Sequence, residues 1–305
     1  MHNMRVARFG VQDEVGIGLV LDDEIARIDA PAGAHGVEHL LDNDGDALAS
    51  LLDEAQQRGA RYALSEVALL APIPRPSKIF AIGLNYADHI AESGLQAPAV
   101  PTVFAKSQNT IRGPYDAIER PRVSTQLDYE GELAVVIGRR CRHVPRERAR
   151  EVIGGYMVLN DVSVRDWQRQ TPQWSLAKSF DSHAPTGPWL TLGGGFDPSG
   201  ARLQTWVNGE LRQDSNTREL VFDCFDLVAY LSQACTLEPG DVIATGTPGG
   251  VGFLREPPAF LVPGDKVRVA IEGLGELANH VVDEPAESAH IAGTPLAEVD
   301  AAPAH

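Results

Sequence analysis

Two carboxylates one residue apart open the most chemically suggestive stretch of the chain, Asp128-Tyr129-Glu130-Gly131-Glu132-Leu133-Ala134-Val135-Val136-Ile137-Gly138. Read as a strand, its period of two places Glu130 and Glu132 on one face and Leu133, Val135 and Ile137 on the other. Ala134 and Val136 continue the glutamates' face, so the strand is apolar on both sides beyond them. Carboxylates entering such a strand repel each other and lose hydration, which costs on the order of several kcal/mol unless a cation neutralises them. Oxygen donors alone select a hard ion: Mg2+, Mn2+ or Ca2+. With 42 acidic residues in 305, chance supplies about six acid-x-acid pairs. Spacing alone therefore decides nothing, and it is the buried context that favours a metal site over a solvated pair.

Other stretches gain meaning beside this one. Gly154-Gly155-Tyr156-Met157-Val158-Leu159-Asn160-Asp161 is an apolar strand ending in Asn-Asp. Alone it reads as a turn; beside the glutamates, Asp161 becomes a third ligand that leaves metal positions open for water and substrate. In Asn85-Tyr86-Ala87-Asp88-His89-Ile90-Ala91-Glu92, Asn85 can cap a short helix, and His89 and Glu92 share one helical face. A carboxylate beside an imidazole is the arrangement of a general base, although a solvated pair on a surface helix is the commoner case. Lys178, flanked by Leu176, Ala177 and Phe180, reads equally as a cation aimed at an anionic substrate or as a lysine snorkelling from a strand edge. Thr245 precedes a glycine-rich run, Gly246 to Gly252, whose backbone can approach a ligand; it lacks the Gly-Lys-Ser/Thr of a Walker loop. Gly273 to Ala278 superficially matches a dinucleotide fingerprint, but no βαβ unit surrounds it.

The elements that must position these groups fall into two textures. Residues 1–70 read as a small α+β unit, with strands at Arg5 to Phe9 and Val15 to Val20, a hairpin through Leu19 to Ile25, and helical spacing from Leu40 to Arg58. The connector 71–76 holds three prolines and cannot be helix or central strand. Residues 77–284 alternate short apolar runs with Gly/Pro turns, and helical spacing is clear only at Arg146 to Val152 and Cys224 to Cys235. That pattern predicts a β-rich α+β fold, a sandwich or roll, with a hairpin turn at Asn208-Gly209. Residues 285–305, rich in Ala, Pro and Glu, read as a disordered tail.

A net charge of −16 argues against nucleic acid and anionic membranes as partners, though a bound metal can reverse the local field for a small anion. Three cysteines without CxxC spacing give neither a disulfide framework nor a zinc knuckle. No apolar run reaches membrane-spanning length, and Met1 to Gly10 lacks a signal-peptide core, so the expected location is the cytoplasm.

Taken together, Ala81-Ile82-Gly83-Leu84-Asn85-Tyr86-Ala87-Asp88-His89, Asp128 to Leu133, Asn160 to Asp166, Lys178-Ser179-Phe180-Asp181 and Thr245-Gly246-Thr247-Pro248 resemble the fumarylacetoacetate hydrolase family, from about Lys78 to Val282. The resemblance implies a mixed β-sandwich roll and a homodimer, with Mg2+ or Mn2+ on Glu130, Glu132 and Asp161. It implies His89 with Glu92 on a lid helix as the water-activating pair, and Arg165, Gln168, Lys178 and Thr245 around a small anionic oxo-acid substrate. Ala177 departs from the glycine often found before the lysine. Asp181-Ser182-His183-Ala184 departs too, and His183 either reshapes the pocket or hydrogen-bonds locally. The expected reaction is hydrolytic C–C cleavage of an acylpyruvate or related β-diketo acid, by His89-activated water and a stabilised enolate. The alternative is an isomerase, decarboxylase or hydratase of a small 2-oxo acid, in aromatic or sugar-acid catabolism. A non-catalytic oxo-acid binder is the rival outside enzymes.

Overall fold

The computed structural model describes residues 4–30, 34–41, 45–288, 290–291 and 294–295. The amino-terminal part contributes strands β1 (Arg5–Val11), β2 (Glu14–Leu21) and β3 (Glu24–Ile28), helices α1 (Glu38–Leu41) and α2 (Gly45–Arg58), and strands β4 (Arg61–Ala63) and β5 (Ala68–Leu70). After the proline-rich connector come β6 (Ile79–Gly83), α3 (Ala87–Ser93), β7 (Thr102–Lys106), β8 (Ile111–Arg112), β9 (Ile118–Arg120), β10 (Leu127–Asp128) and β11 (Gly131–Ile137). Then follow β12 (Ile153–Asn160), β13 (Ser163–Val164), α4 (Arg165–Gln170), β14 (Ala184–Leu192), β15 (Arg202–Val207) and β16 (Glu210–Asn216). The last of these elements are α5 (Cys224–Ala234), β17 (Val242–Ala244), β18 (Lys266–Ile271) and β19 (Gly275–Asp283).

The strands build a β-rich sandwich roll, as the fold class expected. One mixed sheet runs β4-β3-β2-β1-β14-β12-β11-β17-β6-β7, with β5 and β8 beside that path; a second runs β16-β15-β18-β19-β9. The two-residue turn at Asn208-Gly209 joins β15 to β16 with both residues at positive φ, 52° and 82°, as a type I′ hairpin requires. The Gly273 to Ala278 segment is the β18–β19 hairpin and no nucleotide loop.

The strand β11 sits at the centre, paired with β12 and β17 and buried along its whole length. Its alternation sorts side chains into two cores. Leu133, Val135 and Ile137 meet Leu203, Val269 and Leu277 of the second sheet and Leu227 and Leu231 of α5. Ala134 and Val136 face the other way, with Met157, Leu159, Ala81 and Val242, and with Leu40, Leu41 and Leu52 from the amino-terminal helices. The amino-terminal strands extend the same sheet through Arg5↔Thr191 and Val6↔Leu190. The region expected as one helix from Leu40 to Arg58 forms α1 and α2, with residues 42–44 outside the described ones. Arg146–Val152 is a 3-10 helix rather than an α-helix. In the expected tail, Pro285 accepts from Arg122, Ala286–Ser288 form a 3-10 turn and His290–Ile291 pair with Thr294–Pro295; the rest lies outside the described residues.

Candidate metal centre and active site

Strand pairing brings the acidic groups together. Antiparallel register puts Gly131 opposite Asn160, which sets Glu130, just before β11, beside Asp161, just after β12. The Asp161 N–H donates to the Glu130 carbonyl at 2.8 Å, and the Glu130 N–H donates to Asn160 Oδ1 at 3.0 Å. Gly131 is pressed against the second sheet: a Cβ there would meet Thr205 Oγ1 at 2.4 Å, so only glycine lets the two sheets close at this point. The result is a triad in which one carboxylate oxygen each of Glu130, Glu132 and Asp161 lies within 4.8 Å of the others, all three side chains buried.

The protein itself supplies cations here, which the sequence reading underestimated. Lys178 Nζ lies 2.5 Å from Glu130 Oε2 and 2.8 Å from Asp161 Oδ2. Lys106, at the end of β7, reaches Asp161 Oδ1 at 2.7 Å and donates to the Lys178 carbonyl. Arg165 donates from Nε to Asp128 Oδ2 at 2.8 Å and from Nη1 to Gln168 Oε1 at 2.9 Å, and its Nη2 lies 2.7 Å from Glu130 Oε1. Burial opposes ionisation of Glu130, but Lys178 and Arg165 prevail and hold it down at about 2. Glu132 is different. Burial, together with Asp161 and Glu130, pushes its carboxyl well above the usual range, while the Gly246 N–H donates to it at 2.7 Å. Three carboxylates away from water are thus not tolerable only around a metal. Glu130 and Asp161 have protein counter-ions, and Glu132 makes no ion pair among the described residues. An oxygen-only cage with one unneutralised carboxyl, and an ammonium already seated between the other two, fits a hard divalent cation.

A cavity of about 410 Å³ opens onto this cage. Glu130, Glu132, Lys178, Arg165, Gln168 and His89 line it, and Asp161 is fully buried. Thr245, expected at the substrate, is not on the lining; its hydroxyl donates to Leu133 O at 2.9 Å, turned into the strand pair. Thr247 is the threonine that reaches the cavity. His183, fully buried and off the cavity, bonds through Nε2 to Glu119 O at 2.9 Å, and burial pushes its imidazole down to about 3. The local reading of that departure therefore holds.

His89 and Glu92 lie together on α3, with Nδ1 3.6 Å from Oε2, an ion-pair rather than a hydrogen-bond separation. Asn85 does not cap this helix. Its amide donates to Thr245 O at 2.7 Å and Phe222 O at 3.0 Å, tying the helix entry to the core. The run after Thr245 proves to be an anchor for acidic side chains. Its N–H groups donate to Glu132 from Gly246, to Asp88 from Gly249, to Glu92 from Gly250, and to Asp128 from Gly252 and Phe253. Gly250, at φ 99°, would carry a Cβ 2.0 Å from Arg212 O, so the close approach requires glycine. Gln213 braces the same run from β16, accepting from Gly131 N and donating to Thr247 Oγ1 and Pro248 O. Lys106, Asp128 and Gln213 escaped the sequence reading. The Asp at the head of Asp128-Tyr129-Glu130 was the one available signal among them.

The fumarylacetoacetate hydrolase C-terminal model matches residues 78–282, and an Rv2993c-like N-terminal model matches residues 4–72. A mitochondrial oxaloacetate tautomerase of Rattus norvegicus is 46% identical over 220 residues, 72% of this chain and 70% of that protein. A Xenopus laevis relative of the same description is 41% identical over 289 residues, 92% of this chain and 91% of that one. Among solved structures, maleylpyruvate hydrolase from Sphingobium sp. SYK-6, in complex with manganese(II) and pyruvate, is 35% identical with a TM-score of 0.77, covering 92% of this chain and 100% of that one. A 5-carboxymethyl-2-hydroxymuconate delta-isomerase from Mycobacterium smegmatis is 38% identical with a TM-score of 0.76 at the same coverage. No helix among the described residues is long and apolar enough to cross a membrane. The extent of these matches establishes that the chain belongs to the fumarylacetoacetate hydrolase family.

Proposed function

We propose that the chain is a divalent-metal-dependent enzyme that tautomerises a small 2-oxo acid, moving a proton between the carbon beside the keto group and the keto oxygen by way of a base of the protein. The observation that carries this is the placement of His89, on the wall of a cavity whose floor is the Glu130–Glu132–Asp161 cage. A bound Mg2+ or Mn2+ would supply Lewis acidity to the oxo-acid end, raising the acidity of the neighbouring C–H. Glu92 faces His89 Nδ1, which leaves Nε2 as the atom that takes and returns the proton. The Gly250 N–H holds Glu92 at 2.9 Å and so fixes the base through its partner. Lys178, on the cavity wall, offsets charge that develops on the oxo oxygen, and Arg165 braces Glu130 beside it. The apolar wall of Ile82, Phe104 and Trp174 excludes water. Relatives named oxaloacetate tautomerases, 46% and 41% identical, favour proton transfer.

Hydrolytic C–C cleavage of an acylpyruvate, by water activated at the same His89–Glu92 pair, is the second reading, and the similarity to maleylpyruvate hydrolase favours it. The two separate in one assay. Purified protein with Mg2+ or Mn2+ is given oxaloacetate, with keto–enol interconversion followed spectroscopically, and acylpyruvates, with released pyruvate measured. Tautomerisation without cleavage is expected; cleavage with the higher kcat/KM would replace this reading with hydrolysis. The homodimer that the family resemblance implies belongs to the same proposal and is checked by sedimentation.

A further inference from the structure

The cations that line the cavity differ in what already holds them. Arg165 donates hydrogen bonds to Asp128 and Gln168 and is ion-paired with both Asp128 and Glu130. Lys178 is held between two carboxylates. Arg169, four residues along α4 from Arg165, also lines the cavity and was not among the residues singled out in the sequence. Its Nη2 donates at 2.6 Å to a neutral amide, Gln126 Oε1, and it makes no ion pair among the described residues. Its guanidinium lies over the Phe253 ring at 5.9 Å, beside Arg165 at 5.2 Å over the same ring. An amide and a ring face orient the planar fork without neutralising it, which leaves donors for a carboxylate.

The cavity's volume, about 410 Å³, is far more than a three-carbon acid fills; Phe253 and Leu254 line it too, and Arg169, over the Phe253 ring, is exposed at its mouth. A ligand chelated at the floor and longer than three carbons thus shares the cavity with apolar side chains and one guanidinium that no carboxylate neutralises among the described residues. In a chain of net charge −16, that guanidinium also offsets repulsion of an incoming dianion.

We propose that Arg169 receives the distal carboxylate of a 2-oxo dicarboxylate, and so selects diacids over monoacids of equal length. The assignment rests on the oxo-acid reading of the cage given above. Two unreactive ligands separate the ends: N-oxalylglycine carries the distal carboxylate, and N-ethyloxamate keeps the oxo-acid end without it. Calorimetric titration of the Mg2+-loaded protein should show N-oxalylglycine binding about tenfold more tightly. Arg169→Gln should erase most of that ratio, and Arg169→Lys should retain part of it. Arg148→Gln, which removes an exposed arginine paired with Glu151 away from the cavity, should keep the full ratio and so controls for net charge. A wild-type protein that does not discriminate, or an Arg169→Gln variant that still does, overturns the assignment. If neither ligand binds, the oxo-acid reading of the cage falls and takes the assignment with it; if both bind equally, only the assignment falls.

Discussion

Glu132 and Glu130 are neighbours with opposite electrostatic roles, and substitutions should separate them. Removing Glu130 takes one of two buried carboxylates from each of Lys178 and Arg165, which keep Asp161 and Asp128, so Glu130→Ala should cost about 3 kcal/mol of stability as well as activity. Glu132→Gln removes no ion pair and keeps an acceptor for the Gly246 N–H. In metal-free buffer its melting temperature should stay close to wild type, while calorimetric Mn2+ affinity should fall more than about 100-fold. A large fall in melting temperature with unchanged Mn2+ affinity would show that Glu132 is a structural acid. His183 offers a pH signature of its own. Burial lowers its folded-state pKa to about 3, so the unfolded chain takes up a proton that the fold refuses. Stability from this group is present above the ordinary histidine range and declines as pH falls from about 6.5 towards 3, at up to about 1.4 kcal/mol per unit. Urea midpoints at pH 7 and pH 5 should differ less in His183→Gln than in wild type. The sequence made the Glu130–Glu132 alternation legible because period two follows from strand geometry. It could not disclose Lys106, whose bond to Asp161 depends on two strands brought together from 55 residues apart, nor the turn of the Thr245 hydroxyl towards Leu133.

At the scale of elements, α3 is a single short helix held less by its own hydrogen bonds than by what it touches. Glu92 and Asp88 accept from Gly250 and Gly249, and Asn85 ties the entry to Phe222 and Thr245. Glu92→Ala should therefore raise amide exchange across residues 87–93 and lower kcat by about 10–100-fold, leaving exchange in β11 unchanged. Equal protection of α3 in wild type and variant would remove the anchoring role. The sequence showed the helix and its His–Glu face but assigned Asn85 to a cap, because the alternative partners lie 137 and 160 residues away. In β11, where the hydrophobic pattern did determine the outcome, Leu133→Ala should cost about 2–5 kcal/mol, read from the denaturant midpoint.

For the whole molecule, the two textures of the sequence match two family models but share one sheet and one core. Removing residues 1–70 would bare the Ala134, Met157 and Leu159 face and unpair the β1 side of β14. The truncated chain should be insoluble or lose its cooperative melt; a soluble, Mn2+-binding fragment would show instead that residues 77–284 fold alone. The pattern of apolar runs located the central strands β6, β11, β12 and β17 but not β7, β9 or β19, and the order in which strands lie side by side is set by pairings such as β1 with β14 that no local window contains. That pairing has a consequence during synthesis. Arg5 leaves the ribosome 186 residues before Thr191, about 10–40 s at ordinary elongation rates. The first hairpin can close on itself and on β5 in that interval, but its Arg5–Val6 edge stays open to other chains until the nascent polypeptide has delivered β14.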